Sequence, residues 1–297
     1  MRVAVVGLGS IARKAYLPVL ATAGVTPVLV TRNRTTLDTV GDAYRVPDRF
    51  TSVEEAIASG LDAATVHTPS DTHPRVVRAL LDAGVPTLVD KPIATSADAA
   101  RVVVEQARER GVSLMVGFNR RWAPTYCELA GWADRDVVQL QKHRSEPLGA
   151  ARAMVFDDFI HVLDTLRFLV PSPLDDVVVS TNVDDAGRCR RVAVHFTGDG
   201  ARLALGSMSW TAGMAHETLD VIGDGRRRQV VDLSDVIDLD GGERVVRRDG
   251  WSPATELRGF RAMCDAFLEA VREGRLLDAG DALVTHELCE KVVAAAG

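Results

Sequence analysis

The stretch VAVVGLGSIARKAYLPVL, residues 3–20, decides how the chain is read. Val3 to Val6 is an apolar, Val-rich run that suits a strand covered on both faces in a parallel sheet. Gly7, Gly9 and Ala12 follow at once, and a helical pattern begins. In a G-x-G-x-x-[GA] turn, Gly7 permits the tight bend, Gly9 lets a pyrophosphate lie against the backbone, and Ala12 lets the helix pack close on the strand. Free amides at the helix start, near Ser10 and Ile11, carry partial positive charge suited to phosphate. The spacing alone is common in glycine-rich turns. Its place after a strand and before a helix predicts a dinucleotide site.

At 297 residues the chain is long enough for about two domains. With 46% hydrophobic and 26% charged residues and a net charge of −6, nothing points to disorder, nucleic acid or a membrane surface. The apolar runs are strand-sized and the N-terminus already reads as a core strand, so a cytoplasmic protein is expected. Cys127, Cys189, Cys264 and Cys289 form no C-x-x-C pair and have no histidine at metal-ligand spacing. They read as reduced, buried thiols. His67, His73, His143, His195, His216 and His286 form no cluster either, so no metal is expected.

Pro27–Thr31 reads as the second strand. Its end matters because NAD-binding versions of this fold place a carboxylate there for the adenine ribose, whereas here Thr31 is followed by Arg32, Asn33 and Arg34. Guanidinium groups grip a 2′-phosphate with paired hydrogen bonds, so NADP is expected, with NAD the alternative. Two solvated loop arginines are the plainer reading of the same residues. Ser52 and Glu55 form a capping box for a short helix. Ala63–Pro69 looks like a fourth strand ending at the carboxyl edge of the sheet, where ligands of open α/β sheets bind, which puts Thr68, Pro69 and His73 near the cofactor. For His73, a role in starting the next helix competes with any chemical one. Pro86–Pro92 gives a further strand that delivers Lys91 and Pro92 to the same edge, with Lys91 held extended by the proline after it. Ser113–Phe118 is the sixth strand, followed by Asn119, Arg120 and Arg121. Strands alternating with helices give a doubly wound sheet over roughly the first 120 residues.

From Asp136 the grammar changes to short β runs joined by turn signals: Gly198-Asp199-Gly200, Asp224-Gly225 and Gly241-Gly242. Such links mark antiparallel hairpins, so the second domain should carry an antiparallel or mixed sheet. One long helix is expected over Phe156–Val170, and two closing helices around Glu256–Glu273 and Asp281–Ala296. In the first of these, Asp157 and His161 are four apart and share a helical face. A carboxylate that orients an imidazole makes a general acid/base near neutral pH. Asp158 and Asp164, three residues either side of His161, are rival partners, and an amphipathic helix with a solvated acidic face has the same pattern.

GLGSIA at 7–12, DKP at 90–92 and D-x-x-x-H at 157–161, in this order, resemble the Gfo/Idh/MocA family of oxidoreductases across essentially the whole chain. MVGFNRRWAPTY (115–126), KHRS (142–145), DDFIHVLDT (157–165) and GW followed by ELRGF (250–260) resemble its MviM-type branch. The resemblance implies a Rossmann domain, residues 1–121, and an α/β domain, residues 122–297, whose open sheet face serves a homodimer or homotetramer. The C-terminal helix would pack back on the first domain. It also maps the residues that meet the reacting hydroxyl or carbonyl onto Lys91, Asp157 and His161. His161 would exchange the proton, Lys91 would stabilise developing negative charge, and Asp157 would orient the site. Asp90 stands where the family has Glu, a mild change that keeps the charge. Phe159 stands where it often has Gly, and its bulk leaves sugar or inositol specificity open.

Lys142 and Arg144 share a face of a predicted strand. If that face looks inward an anionic substrate is favoured; if outward, they are solvated charges. Arg120, Arg121 and Trp122 are candidates for lining the pocket or for packing, and Trp251 for covering the pocket. Arg226–Arg228 follow a hairpin turn and read as a solvated edge that discourages strand-to-strand association. The expectation is an NADP-dependent oxidoreductase acting on a small polyhydroxylated alcohol or carbonyl compound such as a sugar, sugar acid or polyol. A non-catalytic NADP-binding regulatory or scaffold protein is the alternative.

Overall fold

Val3–Val6 are almost wholly buried, and they form the middle of a parallel sheet. In the computed structural model, which describes residues 1–171 and 176–296, β1 (Arg2–Val6) is joined by β2 (Thr26–Val30), β3 (Arg49–Phe50), β4 (Ala63–Val66), β5 (Thr87–Val89) and β6 (Leu114–Val116). Their order is β3-β2-β1-β4-β5-β6, with every pairing parallel. Strand order reverses direction between β1 and β4, which is the switch point where such sheets bind ligands. Asn33, Ser52 and Ser96 each cap a following helix through the side-chain oxygen. The strands expected over 63–69, 86–92 and 113–118 stop earlier, at Val66, Val89 and Val116, because the residues beyond them already turn away at the carboxyl edge.

The chain divides into two compact units, residues 1–117 with 260–283 and residues 118–259 with 284 onward. Residues 172–175 and 297, inside the expected second domain, lie outside the described residues. Residues 260–283 group with the first unit, where Phe260 packs edge-on against Tyr16 with ring centroids 5.3 Å apart.

The second unit is built on an eight-stranded sheet of β7 (Val137–Ser145), β8 (Val178–Val183), β9 (Cys189–Thr197), β10 (Leu203–Ser209), β11 (Thr211–Gly223), β12 (Arg226–Val231), β13 (Asp235–Leu239) and β14 (Glu243–Val246). The order is β14-β13-β12-β11-β7-β10-β9-β8, and among these pairings only β7 with β10 is parallel. All three expected turns join antiparallel neighbours. Along β7, Val138, Leu140 and Lys142 are buried while Gln139, Gln141 and His143 are half-buried on the other face, the period of two that a one-sided cover produces. The cover is the helix Ile160–Leu169. It seats on Gly206 of β10, where a Cβ would stand 2.7 Å from both Leu166 and Val162.

Two expected helices differ in detail. The one placed at Phe156–Val170 begins earlier, with an α-helical turn at Ala151–Met154, a π-helical turn at Val155–Phe159 and a regular helix at Ile160–Leu169. The one placed at Glu256–Glu273 is broken into Ala254–Leu257 and Phe260–Glu273. Gly259 causes the break. It sits at φ +79° and a Cβ there would come within 2.5 Å of backbone atoms of Asn119, Trp122 and Ala123.

Candidate functional site

The glycine turn after β1 opens onto a cavity of about 770 Å³ within the first unit. Gly7, Gly9, Ser10, Ile11, Thr31, Arg32, Thr68 and Pro69 line it, as their positions in the sequence anticipate. Gly7 has φ +91°, and a Cβ would sit 2.7 Å from the His67 carbonyl carbon and the Thr68 nitrogen, so no side chain fits. At Gly9 a Cβ would meet no atom within 4 Å. It would project where a ligand backbone could otherwise lie, and the residues fit the phosphates of a dinucleotide. Thr36, Thr51, Ser52, Val53, Glu54, His67, Thr72 and Arg75 line the same cavity and were not anticipated as site residues. They come from helix starts and strand ends that only the folded sheet gathers together.

Five expected cofactor residues do not line the cavity. Ala12 is fully buried, as its packing role requires. Arg34 is exposed and turned along its own helix toward Asp38, with Nε 3.2 Å from the carboxylate. Lys91 and Pro92 lie beyond β5, outside the lining. His73 is buried, with Nδ1 2.7 Å from the Pro92 carbonyl oxygen and Nε2 2.7 Å from that of Thr68. It therefore ties the loop after β4 to the segment after β5, consistent with its helix-start reading.

Behind this edge lies a polar cluster. The Tyr16 hydroxyl donates to Asp90 Oδ1 at 2.9 Å, and burial followed by the charge of Asp90 raises the phenol well above its ordinary range. Burial also raises the Asp90 carboxyl, against the opposing pull of Lys91, the Tyr16 hydroxyl and His73. The His67 ring lies 3.9 Å from that of Tyr16, and neither of its nitrogens has a hydrogen-bond partner. Burial, and secondarily His73, lowers His67 to about 3. It is a neutral packing group.

In the second unit, Asp157 is exposed and His161 half-buried, Asp157 within the π-helical turn and His161 just past it. Both rival carboxylates are engaged by cations elsewhere. Asp158 is ion-paired with Lys142 and accepts the Trp210 indole N–H at 3.2 Å. Asp164 receives Arg121 through two hydrogen bonds of 2.9 and 2.6 Å and the Thr285 hydroxyl at 3.1 Å. Arg120, a candidate pocket residue, is instead buried in a two-pronged pair with Glu217, at 2.9 and 2.5 Å, to which Tyr126 adds a hydrogen bond of 2.9 Å. Burial alone would push Glu217 up, but Arg120 and its hydrogen bonds hold it below the usual carboxylate range. Phe159 is fully buried and belongs to the core. Trp251 is 93% exposed. Arg226 and Arg228, expected to be a solvated edge, are partly covered instead: each guanidinium stacks over Trp132, and they pair with Asp134 and Asp238. Among the described residues no three His, Cys, Asp or Glu gather as a metal site, and no helix is long and apolar enough to cross a membrane.

A switch-point cavity under a glycine turn, at the carboxyl edge of an all-parallel sheet, defines a dinucleotide-binding Rossmann unit. Comparison with known proteins agrees. Residues 1–118 match a family model described as the oxidoreductase family with NAD-binding Rossmann fold, and residues 124–239 match the YceM-like C-terminal domain. The YceM protein of Salmonella typhimurium is 32% identical over 278 residues, covering 92% of this chain and 90% of that one. A Gfo/Idh/MocA family oxidoreductase from Vibrio cholerae superposes with TM-score 0.89 at 31% identity, covering 100% of this chain and 96% of the other. An MviM dehydrogenase from Clostridium difficile does so with TM-score 0.91 at 26% identity, covering 99% of each. The chain belongs to the Gfo/Idh/MocA oxidoreductase family. It is an NAD(P)-dependent oxidoreductase acting on CH–OH or C=O groups.

The state of His67 has a measurable consequence. Folding keeps the proton off the ring, so its contribution to stability is complete above pH 6.5 and is lost as pH falls toward 3. Denaturant unfolding between pH 6.5 and 5 should show about 2 kcal/mol of loss from this group, at about 1.4 kcal/mol per pH unit. His67→Phe should remove that part of the slope. An unchanged slope in the variant would rule out a buried neutral imidazole.

Proposed function

We propose that the protein transfers a hydride between NADP(H) and a small polyhydroxylated alcohol or carbonyl compound, in the cytoplasm. The observation that carries the cofactor choice is Arg32. It lines the cavity directly after β2, where a carboxylate would otherwise hold ribose hydroxyls, and its guanidinium suits a 2′-phosphate. Bound there, the nicotinamide supplies or accepts the hydride. In this reading His161 exchanges the proton on the substrate oxygen, Asp157 orients the imidazole, and Lys91 stabilises negative charge developing on that oxygen. His73 holds the Pro92 carbonyl, next to Lys91, at 2.7 Å, which restrains the backbone that carries the lysine. The polyol or sugar class rests on relatives. A protein named myo-inositol dehydrogenase from Streptomyces leeuwenhoekii is 36% identical over 138 residues, 43% of this chain and 42% of that one.

A specific feature favours the rival choice of NAD(H). Glu54 lines the same cavity as Arg32, and a carboxylate suits unphosphorylated ribose. Titration of nucleotide-free protein, followed by nicotinamide fluorescence, separates the two. Arg32→Ala should weaken NADPH about tenfold or more and leave NADH nearly unchanged, in line with the loss of a charge-assisted contact. Tighter NADH binding in the parent, weakened by Glu54→Gln, would transfer the preference to NAD.

For catalysis, turnover is measured on a panel of polyols, aldoses and sugar acids. Lys91→Ala and His161→Asn should each lower the rate on any accepted substrate by about 10²–10⁴-fold while dinucleotide affinity stays within about twofold. Normal rates in both variants would remove Lys91 and His161 from the catalytic roles assigned to them.

We assign the face of the eight-stranded sheet opposite the helix Ile160–Leu169 to a second copy of the chain. Support comes from a groove of about 290 Å³ there, bordered by Val178, Ala193, His195 and Leu205, with Val178 52% exposed. Sedimentation should give a dimer or tetramer, and His195→Asp with Val178→Lys should shift it to monomer. A monomeric parent would remove this assignment.

A further inference from the structure

The inner face of β7 carries more positive charge than its packing uses. Lys142 is 3% exposed and paired with Asp158; Arg120 is 7% exposed and paired with Glu217. Arg144, two residues along β7 from Lys142, has no such partner. Its guanidinium stands 3.5 Å from Asp158 and 3.6 Å from Glu146 as ion contacts, its Nε is buried without a hydrogen-bond partner, and its side chain remains 35% exposed. The reason is local. Lys142 takes one oxygen of Asp158 and the Trp210 indole N–H the other. Three cations thus face two enclosed carboxylates, and the third carboxylate, Glu146, lies at the rim with 54% exposure, so Arg144 is met only by its two looser ion contacts. Burial lowers Lys142 to about 8 despite Asp158, and Arg120 and Arg144 push in the same direction as burial. A charge so loosely paired in such a setting gains from a better-placed anion.

We propose that Arg144 anchors an anionic group of the substrate, a carboxylate or a phosphate monoester, in the second unit. The proposal rests on the oxidoreductase reading and adds the substrate class. Asp158, which Arg144 touches, precedes His161 by three residues, at the junction of the π-helical turn with the helix Ile160–Leu169. An anion on the guanidinium would therefore hold the rest of a small molecule beside the imidazole proposed to exchange its proton. The planar fork of arginine donates two parallel hydrogen bonds to either oxyanion, and both partners of Asp158 keep that carboxylate from competing. Glu146 is the competitor. An incoming anion displaces it from the rim.

Three compounds of one carbon skeleton test this with the full chain at low ionic strength: glucitol, gluconate and glucitol 6-phosphate, each titrated by calorimetry. At least one anion should bind about tenfold or more tighter than glucitol. Arg144→Met should abolish the difference, and Glu146→Gln, which leaves the folded core untouched, should tighten the anion several-fold. Gluconate alone gaining affinity assigns a carboxylate, and glucitol 6-phosphate alone assigns a phosphate. Equal affinities for all three compounds, or anion binding indifferent to both substitutions, would overturn the proposal. Dinucleotide titration of the same samples reports separately on the oxidoreductase reading, because neither turnover nor cofactor enters the anion measurement.

Discussion

Four hydrogen bonds along the carboxyl edge of the parallel sheet hold the first unit's chemistry in place. The N–H of Gly7 donates to Val30 O at 2.8 Å, His67 to Val6 O at 2.7 Å, Asp90 to Val66 O at 2.9 Å and Gly117 to Val89 O at 2.8 Å. Each donor is the residue immediately after its strand. The ladder thus runs one residue past these four strand ends and delivers four turns to a single edge in fixed register. Two of the four donors must be glycine. A Cβ at Gly7 would strike the backbone of His67 and Thr68, and one at Gly117 would sit 2.6 Å from the Tyr16 hydroxyl and 3.1 Å from Asp90 Cα.

That close approach creates the electrostatics of the edge. Tyr16 can reach Asp90 because Gly117 leaves room, and Asp90 in turn sits among Lys91, His73 and the phenol. Asp90 before Lys-Pro, which from sequence looks like a mild change from Glu, accepts the Tyr16 hydroxyl. The His67 ring is enclosed in the same cluster with neither nitrogen hydrogen-bonded, a cost that a neutral ring packed against Tyr16 limits.

Features set by local sequence were legible, and those set by pairing across the fold were not. The Val-rich strand, the glycine turn, the capping box and the hairpin turns at Asp224-Gly225 and Gly241-Gly242 each depend on a few neighbouring residues, and they appear where the pattern puts them. Gly259 carried a visible signal, a glycine inside a helical pattern, but its obligation comes from backbone atoms of Asn119, Trp122 and Ala123, far away in sequence. The π-helical turn at Val155–Phe159 has no such signal. Spacing alone could not rank Asp157, Asp158 and Asp164 as partners for His161, because the choice depends on where Lys142, Trp210, Arg121 and Thr285 arrive from other elements. Arg34 shows the reverse case: next to Arg32 in function by sequence, it turns outward because Asp38 lies one helical turn away.

The second unit raises a question of why so many charges lie under its covering helix. Arg120 with Glu217 and Lys142 with Asp158 occupy positions on a face where Val138, Leu140 and Leu219 are packed apolar. Desolvating such pairs costs about as much as their attraction returns, and apolar residues of similar size would often give a more stable core. Stability therefore does not account for them. They do fix geometry, since Lys142 and Trp210 grip the carboxylate of Asp158 inside the π-helical turn, immediately beside Asp157. A π-helical turn alters the regular pitch and so resets which side chains share a face. Clamping that turn through Asp158 fixes the backbone from which Asp157 and His161 project. The cost in core stability is exchanged for a defined placement of the pair.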